Sequence, residues 1–348
     1  MTAPGDAMSD NGLPHITHVH LNPAWLAKYS EDVLEPALPI VDPHHHLWDR
    51  EGGYLLDQLL ADTGSGHNVV ATVFAQCGYA YRSAGPDELK SLGETEFAAG
   101  VARESERRKT KTRAVAGIVG AVDLALGDKA GDVLRAHIEA GGGRFKGIRH
   151  ITARHEAFNA SLLGRPPARQ MADATFRKGF AQLGKLGLSF DAWLYHPQIP
   201  ELTDLARAFP SIPIVLNHVG APLGVGPYQG KRDLAFREWH QAMKGLATCP
   251  NVRVKLGGLG MAIIGFDYHK EQRPPSSERL AADWRPLMET SIELFGANRC
   301  MFESNFPVDK GMFSYPVMWN AFKRIASRAS TAEKAALFHD TAASFYRL

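Results

Sequence analysis

Short apolar runs that recur along the chain constrain its fold more than any other feature. Each run has the length of a β-strand, is rich in Val, Ile, Phe or Leu, and most end in Gly, Pro, His or Asp. Residues 1–37 show no sustained period and are predicted to form an irregular N-terminal arm. The eight runs that follow are Leu38–Leu47, Val69–Cys77, Arg113–Leu124, Arg144–His150, Leu188–His196, Ile212–Val219, Val252–Leu259 and Cys300–Val308.

Segments with a helical pattern lie between the later runs. Strands that alternate with helices form parallel βαβ units. Eight such units predict a single α/β domain over residues 38–348, a distorted (β/α)8 barrel whose polar chemistry gathers at the carboxyl ends of its strands. A doubly wound open sheet is the alternative, but no GxGxxG motif follows a strand. The predicted helices are Asp132–Ala140, Ala174–Leu186, Glu201–Phe209, Leu234–Ala247, Ser277–Phe295 and Thr331–Tyr346.

Charge and cysteine usage limit the partners and the compartment. The 348 residues include 39 Lys and Arg against 37 Asp and Glu, a net charge of +2. Near-balance argues against nucleic acid or an anionic membrane as the main partner. The expected partner is a small-molecule substrate. No apolar run approaches the roughly 18–20 residues of a membrane span. The cysteines Cys77, Cys249 and Cys300 form no CxxC pair, which favours reduced thiols in a cytoplasmic protein. A homo-oligomer is compatible with these features.

Three consecutive histidines end the first predicted strand. The period of two in a strand directs His44 and His46 to one side, into the barrel, and His45 to the other. Two inward imidazoles can share one divalent ion or bind one oxyanion. A hydrogen-bonded pair in the core is the alternative interpretation.

Further histidines end the fifth and sixth predicted strands. His196 is a candidate third metal ligand, although it precedes a proline at the start of a helix and a structural role is equally open. His218 is a candidate catalytic residue, and a buried, hydrogen-bonded imidazole is its alternative. Histidines at three separate strand ends favour a functional centre.

The ordered set of strand-end motifs resembles the amidohydrolase-2 family, which groups sugar lactonases, pyrone-dicarboxylate lactonase and related decarboxylases. The resemblance covers residues from about 38 to 348. It implies a distorted TIM barrel, in many members one divalent metal held by the HxH pair, and a histidine near the scissile carbonyl at the position of His218. The motifs are Asp42-x-His44-x-His46-x-Trp48, Gly147-Ile148-Arg149-His150, Asn217-His218-Val219-Gly220, Lys255-Leu256-Gly257-Gly258 and Ser304-Asn305-Phe306-Pro307.

One residue departs from the family pattern. Relatives usually carry aspartate on strand eight as metal ligand and general base, and this chain has Asn305 there. A neutral amide cannot accept a proton from water and is a weak ligand beside a carboxylate. Glu303, which shares strand parity with Asn305, and Asp309 are therefore candidates for the missing base. An ion pair of Glu303 with Lys255 or Arg149 is the alternative.

Four residues are candidates for substrate binding. Arg149 offers a planar fork suited to a substrate carboxylate, and Lys255 adds positive charge. Gln76 and Tyr195 could line a pocket. The alternatives are ion pairing inside the barrel for the two cations and core packing for the tyrosine.

These features predict a hydrolase that acts on a lactone or related carboxylic ester of a small, carboxylate-bearing metabolite, in the breakdown of a sugar acid or an aromatic ring-cleavage product. A decarboxylase on the same scaffold and a catalytically silent ligand-binding barrel are the alternatives. The expected cofactor is one divalent ion, best zinc, bound weakly or not at all because of the amide at Asn305. The absence of a GxSxG motif argues against a serine-triad hydrolase.

Overall fold

The computed structural model describes residues 18–50, 52–159 and 165–348. Eight parallel strands are hydrogen-bonded in chain order, each to the next, which confirms the predicted barrel. The strands are β1 Pro39–His45, β2 Asn68–Ala75, β3 Arg113–Gly120, β4 Phe145–Ile151, β5 Ser189–Trp193, β6 Ile214–Leu216, β7 Val252–Leu256 and β8 Cys300–Phe302.

The ring closes beyond the end of β8 rather than along it. The Asn305 backbone N–H donates to the His44 carbonyl at 2.9 Å, and the His46 N–H donates to the Phe306 carbonyl at 2.7 Å. The closure therefore places the histidines that end β1 directly beside the polar segment that follows β8.

Helices cover the outside of the barrel, and all six predicted helices are present with small shifts at their ends. Large side chains such as Trp239, Trp284 and Trp319 are fully buried. The last predicted helix contains a π-helical segment, Ala336–Asp340, between the α-helices Thr331–Ala335 and Thr341–Tyr346. The helices are α1 Pro23–Leu26, α2 Leu56–Thr63, α3 Leu92–Arg108, α4 Ala130–Gly141, α5 Ala174–Lys185, α6 Ile199–Ala208, α7 Arg232–Ala247, α8 Ser277–Phe295, α9 Tyr315–Ile325, α10 Thr331–Ala335 and α11 Thr341–Tyr346.

The sequence pattern did not predict α2, α3 and α9. In α3 the reason is physical: its buried face includes the small residues Ala98, Ala99 and Ala102. Small residues let the helix approach β3 closely but give a weak hydrophobic period.

The described part of the N-terminal arm has little regular structure, as expected, and is attached to α9. The Asn320 amide accepts from the Leu34 N–H at 2.8 Å and donates to Glu31 at 2.7 Å, and Lys323 donates to the Leu34 carbonyl at 2.7 Å. Residues 1–17 of the predicted arm lie outside the described residues. Across the described ranges, the helices are too short or too polar to cross a bilayer.

Candidate active site

The three histidines at the end of β1 are all buried, but their rings lie in two different environments. The rings of His44 and His46 lie against each other, with centroids 4.9 Å apart. The His45 ring instead meets the Thr72 hydroxyl of β2, with Nε2 and Oγ1 2.9 Å apart. Strand alternation therefore predicted the orientation of the pair correctly. Burial lowers the pKa of His45 to about 3, so this ring is neutral at pH 7.

A histidine and a glutamate form the most closely bonded polar pair of the site. His218, which follows β6, has Nδ1 2.7 Å from Glu303 Oε1, and its backbone N–H donates to the same oxygen at 3.0 Å. Burial lowers the pKa of His218, and the Glu303 carboxylate opposes that shift. A neutral imidazole that donates through Nδ1 keeps Nε2 unprotonated. His218 can therefore accept a proton at Nε2.

Two glycines after β7 make room for this pair. A Cβ on Gly257 would lie 2.5 Å from Glu303 Cγ, and a Cβ on Gly258 would lie 2.4 Å from His218 Nδ1. Gly258 also has φ +68°, which disfavours any other residue. The Gly257-Gly258 motif is thus a steric requirement of the site.

The backbone at two site residues adopts the left-handed conformation. His218 has φ +55° and Asn305 has φ +55°. Val219, beside His218, has φ +48°, which is unfavourable for a β-branched residue. Such backbone strain concentrates where the surrounding structure fixes a functional geometry.

One oxygen of Glu303 is left without a hydrogen bond. Oε2 is buried and lies 2.9 Å from His44 Nδ1, but it has no hydrogen-bond donor within the described ranges. Ligand atoms of His44, His218 and Glu303 all lie within 4.8 Å of one another. Imidazole nitrogens and a carboxylate oxygen suit a divalent ion. The donor set and the unbonded oxygen therefore fit a divalent metal.

His46 contacts the amide that replaces the family aspartate. Its Nδ1 donates to the Ala75 carbonyl at 2.8 Å, which leaves a lone pair on Nε2, 3.3 Å from Asn305 Oδ1. Asn305 donates to Asp309 Oδ1, and the Gly260 N–H donates to Asp309 Oδ2, each at 2.8 Å. Burial raises the pKa of Asp309 well above its usual range, and the negative charge of Glu303 raises it further. The amide thus binds a buried carboxyl group through its nitrogen, while its oxygen faces the lone pair of His46 Nε2.

Two of the predicted substrate-binding residues bind each other. Arg149 donates from Nε to Gln76 Oε1 at 2.9 Å and from Nη2 to the Gln76 carbonyl. Its Nη1 lies 3.4 Å from His44 Nε2. Gln76 therefore holds a buried guanidinium beside the imidazoles.

Lys255 forms an ion pair inside the barrel, but with a residue that the sequence analysis missed. Its Nζ donates to Asp191 Oδ2 at 2.7 Å and lies 3.2 Å from His44 Nδ1. The Tyr346 hydroxyl of α11 also donates to Asp191. The alternative interpretation, an ion pair of Glu303 with Lys255 or Arg149, was therefore wrong, because Lys255 pairs with Asp191 instead. The sequence feature that could have identified Asp191 is that it is a single carboxylate within the apolar strand β5.

The structure does not bring His196 and Tyr195 to this cluster. His196 Nδ1 accepts from the Leu223 N–H at 3.2 Å, and its Nε2 lies 3.6 Å from Glu238 Oε2. Nδ1 is thus occupied, Nε2 has no hydrogen-bond partner among the described residues, and His196 is not one of the converging ligands. Tyr195 packs against Phe158 and Trp193. It is the Trp193 ring that lies against His218, at 4.7 Å.

Residues 41–348 match the family model described as amidohydrolase. The chain belongs to the amidohydrolase family. An uncharacterised protein of Sinorhizobium fredii, y4mH, is 36% identical over 334 residues, which cover 89% of this chain and 99% of that protein. L-fucono-1,5-lactonase of Burkholderia ambifaria is 27% identical over 318 residues, 88% of this chain and 95% of that protein.

The solved structures agree with this membership. An amidohydrolase of Burkholderia multivorans with bound zinc superposes with a TM-score of 0.68 at 25% identity, over 89% of this chain and 99% of that chain. The chain is therefore a hydrolase of the amidohydrolase superfamily with a candidate divalent-metal site.

Proposed function

We propose that this amidohydrolase opens a lactone or related carboxylic ester of a small, carboxylate-bearing metabolite such as a sugar acid or aromatic ring-cleavage product, and that His218 is its general base. The observation that carries the proposal is the 2.7 Å contact between His218 Nδ1 and Glu303 Oε1. The similarity to a relative named L-fucono-1,5-lactonase over most of both chains supports this substrate class.

The two residues divide the work. Glu303 fixes the ring and tautomer of His218, so that Nε2 accepts a proton from water as the water attacks the carbonyl carbon. The same proton then passes to the leaving ring oxygen. Arg149, which Gln76 holds at two points, stabilises the negative charge that develops on the carbonyl oxygen. Asn305 and Asp309 hydrogen-bond to each other and do not act as the base.

We also propose that the ion is zinc. His44 and Glu303 Oε2, which belong to the three groups with converging ligand atoms, would hold it, and the HxH motif adds His46 as a further ligand. His218 Nδ1 is committed to Glu303 Oε1, and His196 lies outside the cluster. When bound, such an ion polarises the carbonyl and lowers the pKa of a bound water. Elemental analysis before and after dialysis against a chelator measures the occupancy, and a preference for a metal other than zinc would contradict this assignment.

A reduced compartment suits the cysteines. Cys77, Cys249 and Cys300 are buried and unpaired, and burial raises the pKa of Cys300. We therefore propose a cytoplasmic protein, which fractionation of cells that express the chain would test.

Acid release from a lactone panel tests the proposed reaction. A pH-stat follows the hydrolysis of aldono-lactones, including L-fucono-1,5-lactone, and of pyrone carboxylates. We expect one equivalent of acid per lactone opened and no CO₂. Release of CO₂ from a carboxylate-bearing substrate would show a decarboxylase. Complete inactivity of folded protein would favour a silent ligand-binding barrel.

A further inference from the structure

Trp48 packs against the cluster of imidazoles in the candidate active site. Its ring stacks on His46, with centroids 5.9 Å apart and an angle of 18° between the planes. Two further groups contact the same indole: the Arg50 guanidinium, 4.7 Å from the ring centroid, and the His18 ring, at 6.0 Å. Trp48 thus joins the candidate active site to a cationic side chain and to the N-terminal arm.

Among the described residues, no carboxylate neutralises the charge of Arg50. Its Nη2 donates to the Cys77 carbonyl at the end of β2, at 3.1 Å, and this contact is with a neutral group. Its Nε is buried and has no acceptor in the described part of the chain. Within those same ranges, no Asp or Glu forms an ion pair with Arg50. A buried, unpaired guanidinium N–H is costly unless an acceptor arrives.

Arg149 is less suited to bind a second anion. Its Nε and Nη2 donate to Gln76, and its Nη1 faces His44, so most of its fork is occupied by the protein itself. Arg50 therefore has the larger unused capacity to donate. An indole beneath a guanidinium also holds it in place without consuming its N–H groups.

The N-terminal arm bounds the other side of Trp48. The Val19 carbonyl lies 2.2 Å from where a Cβ on Gly311 would be, so the arm crosses the segment after Asp309 in close contact. Farther along, Trp25 Nε1 donates to the Glu271 carbonyl at 2.8 Å and holds the arm in place. His18 lies outside residues 41–348, the part of the chain that the family model matches.

We propose that Arg50 and His18, on Trp48, form a subsite that binds a carboxylate of the substrate distant from the reacting carbonyl. The proposal rests on the proposed lactone hydrolysis for the identity of the substrate, but not for the binding of an anion. Arg50 acts as the specificity-determining residue, because its guanidinium supplies charge-assisted hydrogen bonds that a neutral substrate cannot accept. His18 narrows the subsite.

Calorimetric titration with glutarate and with neutral glutaramide tests the subsite without any turnover. We expect wild-type protein to bind glutarate at least about 10-fold more tightly than glutaramide. Arg50→Gln removes this preference, Arg50→Lys keeps part of it, and His18→Ala reduces it several-fold. The matched control is Arg82→Gln, since Arg82 is exposed and pairs with Glu96 away from Trp48.

The outcomes separate this subsite from the proposed reaction. With an active lactone, Arg50→Gln raises KM about 10-fold or more and leaves kcat within a few-fold. If no lactone is hydrolysed but the glutarate preference still depends on Arg50, only the proposed reaction fails. Equal binding of glutarate by wild type and Arg50→Gln, or absence of a preference in wild type, overturns the subsite.

Discussion

At the scale of single residues, Glu303 connects the parts of the candidate active site. Its Oε1 binds the ring and the backbone of His218, and its Oε2 faces His44 without a donor in the described ranges. A buried carboxylate is stable only when its lone pairs are satisfied. The unbonded oxygen therefore indicates a site built for a further group, and the bonded one indicates an imidazole held for proton transfer.

Glu303→Gln tests the orienting role. The amide keeps the shape but removes the charge that opposes the lowering of the His218 pKa, so the acidic limb of the kcat/KM profile should move to lower pH. We expect kcat to fall by about 10²-fold or more, because the tautomer of His218 is no longer fixed. Glu94→Gln is the matched control: Glu94 is also buried, but it accepts backbone N–H groups of Cys77 and Tyr79. If the acidic limb of the kcat/KM profile of Glu303→Gln stays at the wild-type pH, Glu303 does not have this orienting role.

Asn305→Asp distinguishes a rebuilt site from one that has lost its base. Asn305 donates to Asp309 at 2.8 Å, so an aspartate there would face another carboxyl group. We expect slower hydrolysis and a free energy of unfolding lower by about 1–3 kcal/mol. The double variant Asn305→Asp, Asp309→Asn restores one amide and one carboxyl group and should recover the stability. A clear gain in hydrolysis by the single variant would show that the site lacks a base.

Among the strands and helices, the alternation of side chains predicted the part of the site that lies within strands. It did not predict the residues that lie beyond the strand ends. The period of two predicted the shared orientation of the His44 and His46 side chains correctly, because both residues lie at the end of an extended run. His196 lies three residues beyond the end of β5, where the chain has left the strand and parity no longer applies. Asp191 could be recognised only as a carboxylate within an apolar strand. Its partners Lys255 and Tyr346 could not be predicted, because they come from distant elements.

Gly258→Ala tests the turn that follows β7. The added Cβ would meet His218 Nδ1 and the backbone is left-handed, so we expect loss of activity together with a destabilisation larger than the roughly 1–2 kcal/mol of the backbone term alone. Gly187→Ala is the control, since Gly187 has φ +64° but open space around a Cβ. Chemical denaturation and initial rates measure both effects. Equal losses of stability in the two variants would mean that the contact with His218 is unimportant.

At the scale of the whole molecule, the barrel could be predicted because each strand is apolar and each crossover carries a helix, and both are local signals. The arm could be predicted only as irregular, since its position depends on contacts with α9 and with residues 271–272.

The packing of the whole molecule buries many imidazoles. Burial lowers the pKa of His45 to about 3 and those of His67, His137 and His196 to about 4.

These buried imidazoles make stability depend on pH. In the unfolded chain they take up protons near pH 6.5, whereas in the folded chain they remain neutral until about pH 3–4. The unfolded state therefore binds more protons in this window, and the free energy of unfolding falls as pH decreases from 6.5 to 4. Each histidine contributes up to about 1.4 kcal/mol per pH unit.

Urea denaturation at several pH values measures this slope. His137→Asn should reduce the slope, because His137 is buried against Thr95. His339→Asn, at a partly exposed site beside Asp340, is the control for the replacement of a histidine by asparagine. A slope that is identical in wild type and His137→Asn would contradict the assignment.

A comparison of two buried histidines tests whether His218 acts on the reacting carbonyl. His218→Asn and His196→Asn each replace a histidine that follows a strand, but only His218 contacts Glu303. The measurement is kcat on an active lactone, with folding checked by circular dichroism. We expect a fall in kcat of about 10²–10⁴-fold for His218→Asn and a change within a few-fold for His196→Asn. A folded His218→Asn variant with near wild-type kcat would contradict this role.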